Sequence, residues 1–459
     1  MTTGAGGPAS GAPPVTETSA RAAAHAILDY PGADAVEVVV TGSGSGITRF
    51  ANSQIIQNVV RSDSRAYVRV VTKGRRATSS TNQLDSDHMK SAAARALEAA
   101  LSSPIDPEWP GLPGAVGRPA AVMRLDEKTA AATPALRARA VKDMVEATGK
   151  AKAAGFFETG AHAYAVFSSS GIDCYDAYSR CIANCLCDAG ESTGWADDSS
   201  VAVADVDAGA IGLRALLKAE AGRSATALSP GSYEVVLEPR AVWDLLDLLA
   251  YSGFGAKQVI EGESFLAAHA GQRVAAETVT LTDDVWHPSS VGIGFDFEGV
   301  PKQRVAVIDA GVARGPVTDT RTAHALETDS TGHASGSDEY GPYASNVVLE
   351  PGDQSLGDLV GEVEDGLLVT RFHYVNILDR RKTLLTGMTK DGTFRIQGGE
   401  IGPAVHNLRF TQSVLDTLAS VTGIGRDLVS FAPEFGTFGS TVAPALRTSD
   451  FRFTSSTDH

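Results

Sequence analysis

The chain has 459 residues, more than a single hydrophobic core organises, so two or more domains are expected. Its 39 basic residues against 55 acidic ones give a formal charge of −16, which repels phosphate backbones and anionic lipids and sets nucleic acid and membrane surfaces aside as partners. There is no apolar run of about 18 residues, and the opening MTTGAGGPASGAPPVTETSA has neither a basic start nor an apolar stretch, so no membrane-spanning helix or secretory signal is expected and the cytoplasm is the expected location.

In chain order, residues 1–15 are rich in Gly, Pro, Ala and Ser and read as a disordered tail. Residues 16–29 carry Ala, Ile and Leu at helical spacing behind Thr16 and Thr18, which predicts a capped helix. ADAVEVVVTG predicts a strand, and Gly42 to Gly46 (GSGSG) a flexible turn without the spacing of a phosphate-binding loop. Several strands follow to about residue 82, then an Ala-rich helix over 86–102 with Ser86 or Asp87 as its cap. The five prolines of residues 102–119 predict an extended connection. A second helix is expected over about 134–154, short strands from Gly155 to about Val206, and a helix near 207–221. EVVLEP predicts a strand, and Pro239 sits near the start of a helix running to about Ala250. From about residue 271 short strands alternate with Gly and Asp turns, and TQSVLDTLASV predicts a late amphipathic helix. The expected fold class is α+β: an α+β N-terminal domain over 16–225 and a β-rich, barrel-like C-terminal domain over 226–459.

The four cysteines, Cys174, Cys181, Cys185 and Cys187, lack the paired-knuckle spacing of a zinc ribbon. Cys185 and Cys187 share one face of an expected strand, and buried reduced thiols are the favoured reading. The ten histidines form no HExxH or HExxxH motif and no i,i+4 pair, so no metal site is expected in this chain. No GxSxG elbow is present, and no serine stands out as a nucleophile. Asp296 and Glu298 in GFDFEGVP read either as a paired-acid site or as turn acids bonded to backbone N–H groups, the second being favoured. His324 precedes and His333 lies within a long acidic, Gly/Ser-rich loop, and both are candidates to line a substrate cavity. Arg371, His373 and Asn376, on the strand after GLLVT, are further cavity candidates, with a solvated strand face as the alternative.

An ordered set of motifs resembles the TldD/PmbA family. It comprises ITRFANSQIIQN, NQLDSDHMKSAAARALEAA, VVLEPRAVWDLL, GESFLAAHAGQRV, FDFEGVPKQRVAVIDAGVARG, STGHAS, SNVVLEPGDQSL and GLLVTRFHYVNILD with its following GGEI turn. The set runs from residue 34 to about 420, and its VVLEPRAVWDLL and GESFLAAHAGQRV segments look like the PmbA (TldE) branch. The resemblance implies an α+β N-terminal and a β-rich C-terminal domain. In the TldD branch it implies zinc held by HExxxH on a helix and by a later cysteine. The matching helix here, Arg240 through Ala250, has no histidine, and no cysteine follows Cys187. The resemblance therefore implies a metal-free partner for a TldD-type, HExxxH-bearing subunit, with zinc in that partner and unfolded or linear peptides as substrates. Two rivals are a stand-alone amide hydrolase acting on a natural product and a non-catalytic, peptide-binding homodimer.

Overall fold

The computed structural model describes residues 13–115, 121–433 and 438–456. Its first half is built on one antiparallel sheet of β1 (Ala35–Ala51), β2 (Gln54–Thr72), β3 (Arg75–Thr81), β4 (Lys152–Ser168), β5 (Asp173–Asp188) and β6 (Thr193–Ser200), in the order β3-β2-β1-β4-β5-β6. β1 and β2 join through Asn52 and Ser53, both at positive φ (49° and 60°), the two-residue turn whose twist suits a hairpin.

Alternation along these strands sorts two faces. Val36, Val38, Val40, Val68, Val70, Ala163 and Ala165 point to the side covered by α1 (Glu17–His25) and α2 (Ser86–Ser102). After the short α3 (Glu127–Ala130), α4 (Pro134–Ala147) and α5 (Ala208–Ala221) pack against the far end of the sheet, on Phe157, Cys181, Cys185 and Cys187. The cysteines are therefore buried packing groups, and burial pushes the Cys185 thiol up to about 12. The opposite face, with Val39, Tyr164, Val166 and Tyr178, receives Val291, Ile293 and Phe295 from the second half of the chain.

Gly42 to Gly46 form no turn. They lie inside the 17-residue β1, paired on both sides with β2 and β4. A Cβ at Gly42 would stand 2.6 Å from Val15 Cγ2, and one at Gly46 2.3 Å from the buried Arg137 guanidinium carbon, so these glycines make room for chain laid across the strand. The expected tail ends early for the same reason. Pro13 and Val15 are buried, and the Tyr175 hydroxyl donates to Val15 O at 3.0 Å. Residues 1–12 of that tail lie outside the described residues. The α2 helix spans the expected residues, but its cap is Asp85, whose carboxylate accepts from the Asp87 and His88 N–H groups. α4 stops at Ala147, because Thr148 caps it and Gly149 turns the chain at φ 61°.

The second half opens with β7 (Gly231–Leu237) and α6 (Pro239–Gly253), whose Pro239 occupies the first turn as expected. Two sheets follow. One has six strands, with residues 281–283, 305–309, 346–349 and 440–443 in its middle. The other has nine, with β7 between residues 365–369 (parallel) and 446–456 (antiparallel). The barrel-like expectation does not hold, since neither sheet closes on itself among the described residues. Eleven of the fifteen α6 residues are buried, in a core shared with both sheets. A small closed barrel has room inside for side chains and not for a helix, so a helical core keeps the sheets open. Among the described residues no helix is long and apolar enough to cross a membrane.

Candidate functional site

A cavity of about 520 Å³ opens where α6, the loop after residue 291 and the loop around His333 meet. Its walls are aromatic, with Tyr251 from α6, Phe295, Phe297, Tyr340, Tyr343 and Phe438. Phe297 and Phe438 also pack edge-on against Tyr164 of β4, at 4.7 and 5.0 Å between ring centroids, so the first sheet backs this wall.

The polar floor is assembled from three distant segments. His333 Nε2 lies 2.9 Å from Asp283 Oδ1, with neither side chain exposed. The Asn346 N–H donates to the other Asp283 oxygen at 2.8 Å. Burial works against the charge on Asp283, but His333, Lys302 and that N–H outweigh it and hold its carboxyl below the usual range. An ionised Asp283 only accepts, so His333 Nε2 carries a proton and donates to it, while Nδ1 lies 2.9 Å from Thr331 Oγ1. Lys302, 8% exposed, directs Nζ at Ser345 Oγ and at Asn346 Oδ1, the latter at 3.1 Å. Burial lowers the Lys302 ammonium, while Asp283 and Asp296 pull it back up.

Asp296 and Glu298 follow the turn-acid reading. Asp296 Oδ1 accepts from Glu298 N and Val300 N, both at 2.9 Å, and Oδ2 accepts from Ala334 N at 2.8 Å. Glu298 accepts from Thr320 N at 3.1 Å, and burial pushes its carboxyl up to about 7. The pair thus ties together the loops that frame the cavity.

Of the five residues singled out from sequence, His333 lines this cavity. The other four do not. His324 is exposed on the helix Thr320–Ala325. Arg371 pairs with buried Asp391, Nε to Oδ2 at 2.7 Å, and lies 4.4 Å over the Trp195 ring of β6. His373 packs on Tyr374, and Asn376 donates to Tyr374 O at 2.9 Å on an exposed strand. Asp283, Lys302, Ser345 and Tyr251 were not legible as site residues. Each sits in an ordinary strand, turn or helix sequence, and only the folded chain brings them together.

Zinc needs three or four converging N, S or O ligands. Both His333 nitrogens and both oxygens of Asp283 and Asp296 are already engaged, α6 carries no histidine, and the cysteines lie in the first sheet. Among the described residues no group of three or more His, Cys, Asp or Glu side chains is placed to hold a metal. The donor set does not fit zinc.

Residues 36–100 match the model of the PmbA/TldA metallopeptidase domain 1, and residues 230–455 that of the PmbA/TldA metallopeptidase C-terminal domain. The chain belongs to the PmbA/TldD family. A metalloprotease of Methanothermobacter thermautotrophicus is 29% identical over 206 residues, covering 43% of this chain and 43% of the relative. A zinc metalloprotease TldD homolog of Saccharolobus solfataricus is 23% identical over 215 residues, covering 43% and 44%. The chain therefore spans less than half the length of these curated relatives in its matches. Over nearly its whole length the fold is that of TldE from Thermococcus kodakarensis, with a TM-score of 0.83, 19% identity, and 96% and 99% of the two chains covered.

Proposed function

We propose that this chain is the metal-free subunit of a two-component TldD/TldE-type zinc peptidase that acts on unfolded or linear peptides. The observation that carries this reading is the composition of the cavity. In a metallopeptidase family, the helix that borders it carries no histidine and presents Tyr251 to the cavity, and the acids of the floor are committed to internal bonds. Zinc then belongs to an HExxxH-bearing partner of TldD type, and this chain supplies walls and peptide contacts.

The first sheet supports the reading. Among the described residues, β2 from residue 54 to 65 pairs with β1 alone, and its pairing with β3 begins only at Ala66. That leaves an open strand border with Ile55, Ile56 and Val60 exposed by 47%, 66% and 66%. Such a border pairs with an extended peptide or with a strand of another subunit through main-chain hydrogen bonds, which tolerate varied sequence.

The test is reconstitution. The chain is mixed with an HExxxH-bearing family member from the same organism, and cleavage of an unstructured peptide is followed with and without chelator. The reading expects a stable complex, cleavage by the mixture only, and its loss on chelation. Stoichiometric zinc in the isolated chain, or chelator-sensitive cleavage by it, would overturn the reading.

A further inference from the structure

We propose that Ser345 and Lys302 form a metal-independent acyl-transfer dyad on the floor of the aromatic cavity, with Ser345 as nucleophile and Lys302 as its base. The inference goes beyond the zinc-peptidase reading and does not rest on it, since it concerns groups held entirely within this chain.

Both residues line the cavity, and Nζ of Lys302 is in direct hydrogen-bond contact with Ser345 Oγ. The two side-chain acceptors of that Nζ are a hydroxyl and an amide oxygen, both neutral. The amide is fixed: Asn346 Nδ2 donates to Val291 O at 3.1 Å, which leaves Oδ1 facing the lysine. In the folded chain Nζ donates to both Ser345 Oγ and Asn346 Oδ1, and the Ser345 hydroxyl donates to Asn346 Oδ1 at 3.2 Å; a neutral Lys302 keeps a donor for Asn346 and takes the serine proton once that hydroxyl rotates from Oδ1 to Nζ. Burial favours the neutral form and outweighs the opposing pull of Asp283 and Asp296. The serine backbone is clamped as well. Ser440 N donates to Ser345 O at 2.8 Å, and Gly439 packs so close that a Cβ there would stand 1.8 Å from the same oxygen. A nucleophile and base in contact, the base oriented by a third group, is the arrangement that activates a hydroxyl.

The substrate class follows from the walls. A cavity of about 520 Å³ with six aromatic side chains takes a small ester or amide whose acyl part is apolar or aromatic. Ser345 Oγ bonds to the carbonyl carbon as its proton passes to Lys302 Nζ. The bond from that carbon to the leaving oxygen or nitrogen then breaks, and Nζ delivers the proton to the leaving group. Water attacks the acyl-serine, giving one proton to Nζ, and Ser345 Oγ leaves with it. The sum is ester or amide plus water giving acid plus alcohol or amine.

The experiment treats the isolated, full-length chain with a fluorophosphonate probe and reads intact mass and peptide maps, with EDTA present throughout. The expected result is a single adduct on Ser345. S345A should give none, and K302M should label at least tenfold more slowly, with the wild-type rate rising as pH increases. Thermal melts establish that the variants are folded; if K302M is not, the wild-type and S345A results decide. No adduct on the folded wild-type chain, or equal labelling of S345A, would overturn the dyad whether or not a zinc-bearing partner is found.

Discussion

His333 and Asp283 meet at 2.9 Å with neither side chain exposed, so the floor of the cavity is held by a fully desolvated contact between residues 50 positions apart. Removing Asp283 leaves His333 Nε2 buried and unpaired. Asp283→Ala should destabilise the chain by about 3–5 kcal/mol, as expected for a broken buried pair. The Asp283 carboxyl is held low in the folded state, so its contribution is complete above the ordinary value of 3.8 and fades as pH falls through the lower folded value. Urea unfolding of wild type and variant, repeated toward acid, measures both effects. A loss under about 1 kcal/mol at neutral pH would contradict the assignment.

Glu298 carries the opposite sign. Burial raises its carboxyl to about 7 from an ordinary 4.5, so the folded chain keeps this proton at pH values where the unfolded chain has lost it. Stability from this group therefore falls as pH climbs from about 4.5 to 7. Glu298→Gln should flatten that decline and raise stability at pH 7.5 by about 1–3 kcal/mol. Melting temperatures across pH 5 to 8 check it, and parallel curves for the two proteins would refute it.

Arg371 is a tie between the two halves of the molecule. Its guanidinium pairs with buried Asp391 and covers Trp195 of the first sheet. Arg371→Ala strands the Asp391 charge and should cost about 3–5 kcal/mol. Binding of a small aromatic ester in the cavity should be unchanged at temperatures where the variant is folded. A binding defect without a stability defect would return Arg371 to the cavity.

Gly439 sits at φ 97°, and its carbonyl accepts from buried Arg180. An added methyl group meets both the strained backbone and Ser345 O. Gly439→Ala should destabilise by about 1–3 kcal/mol or more, read from denaturant midpoints. A neutral result would show that the segment before residue 440 shifts freely.

The strand border of β2 gives a prediction without a stability component. Ile56 and Val60 are exposed, and replacing both with Lys should change folding stability by no more than about 0.5 kcal/mol. The same variant should weaken association with the zinc-bearing partner or with peptide at least tenfold by titration calorimetry. Unchanged association would place those contacts elsewhere.

Legibility in the sequence followed the range of the interactions. α2 and the first turn of α6 were readable because local rules write them: alanine spacing in one, whose cap is nonetheless Asp85 and not the expected Ser86 or Asp87, and Pro239 in the other. The GSGSG stretch misled because glycine has two uses. Here it admits Val15 and Arg137 across a strand, contacts visible only when residues far apart in the chain meet. His333 was recoverable because an imidazole in a long polar loop is rare enough to notice. Asp283, Lys302 and Ser345 were not, because LTDD, GVPK and YASN are ordinary strand and turn text that gains meaning only when the second half folds. The barrel-like expectation failed on a related point: strand spacing counts strands but does not reveal that α6 fills the space between sheets.

The open β2 border also governs how the isolated chain behaves as a colloid. Lacking a companion, it displays an adhesive seam over residues 54–65, checked mainly by the mutual repulsion of molecules that each carry −16. Salt shortens the reach of that repulsion to about 10 Å at 0.1 M. Clumping should therefore grow with ionic strength and protein concentration while the fold itself stays intact.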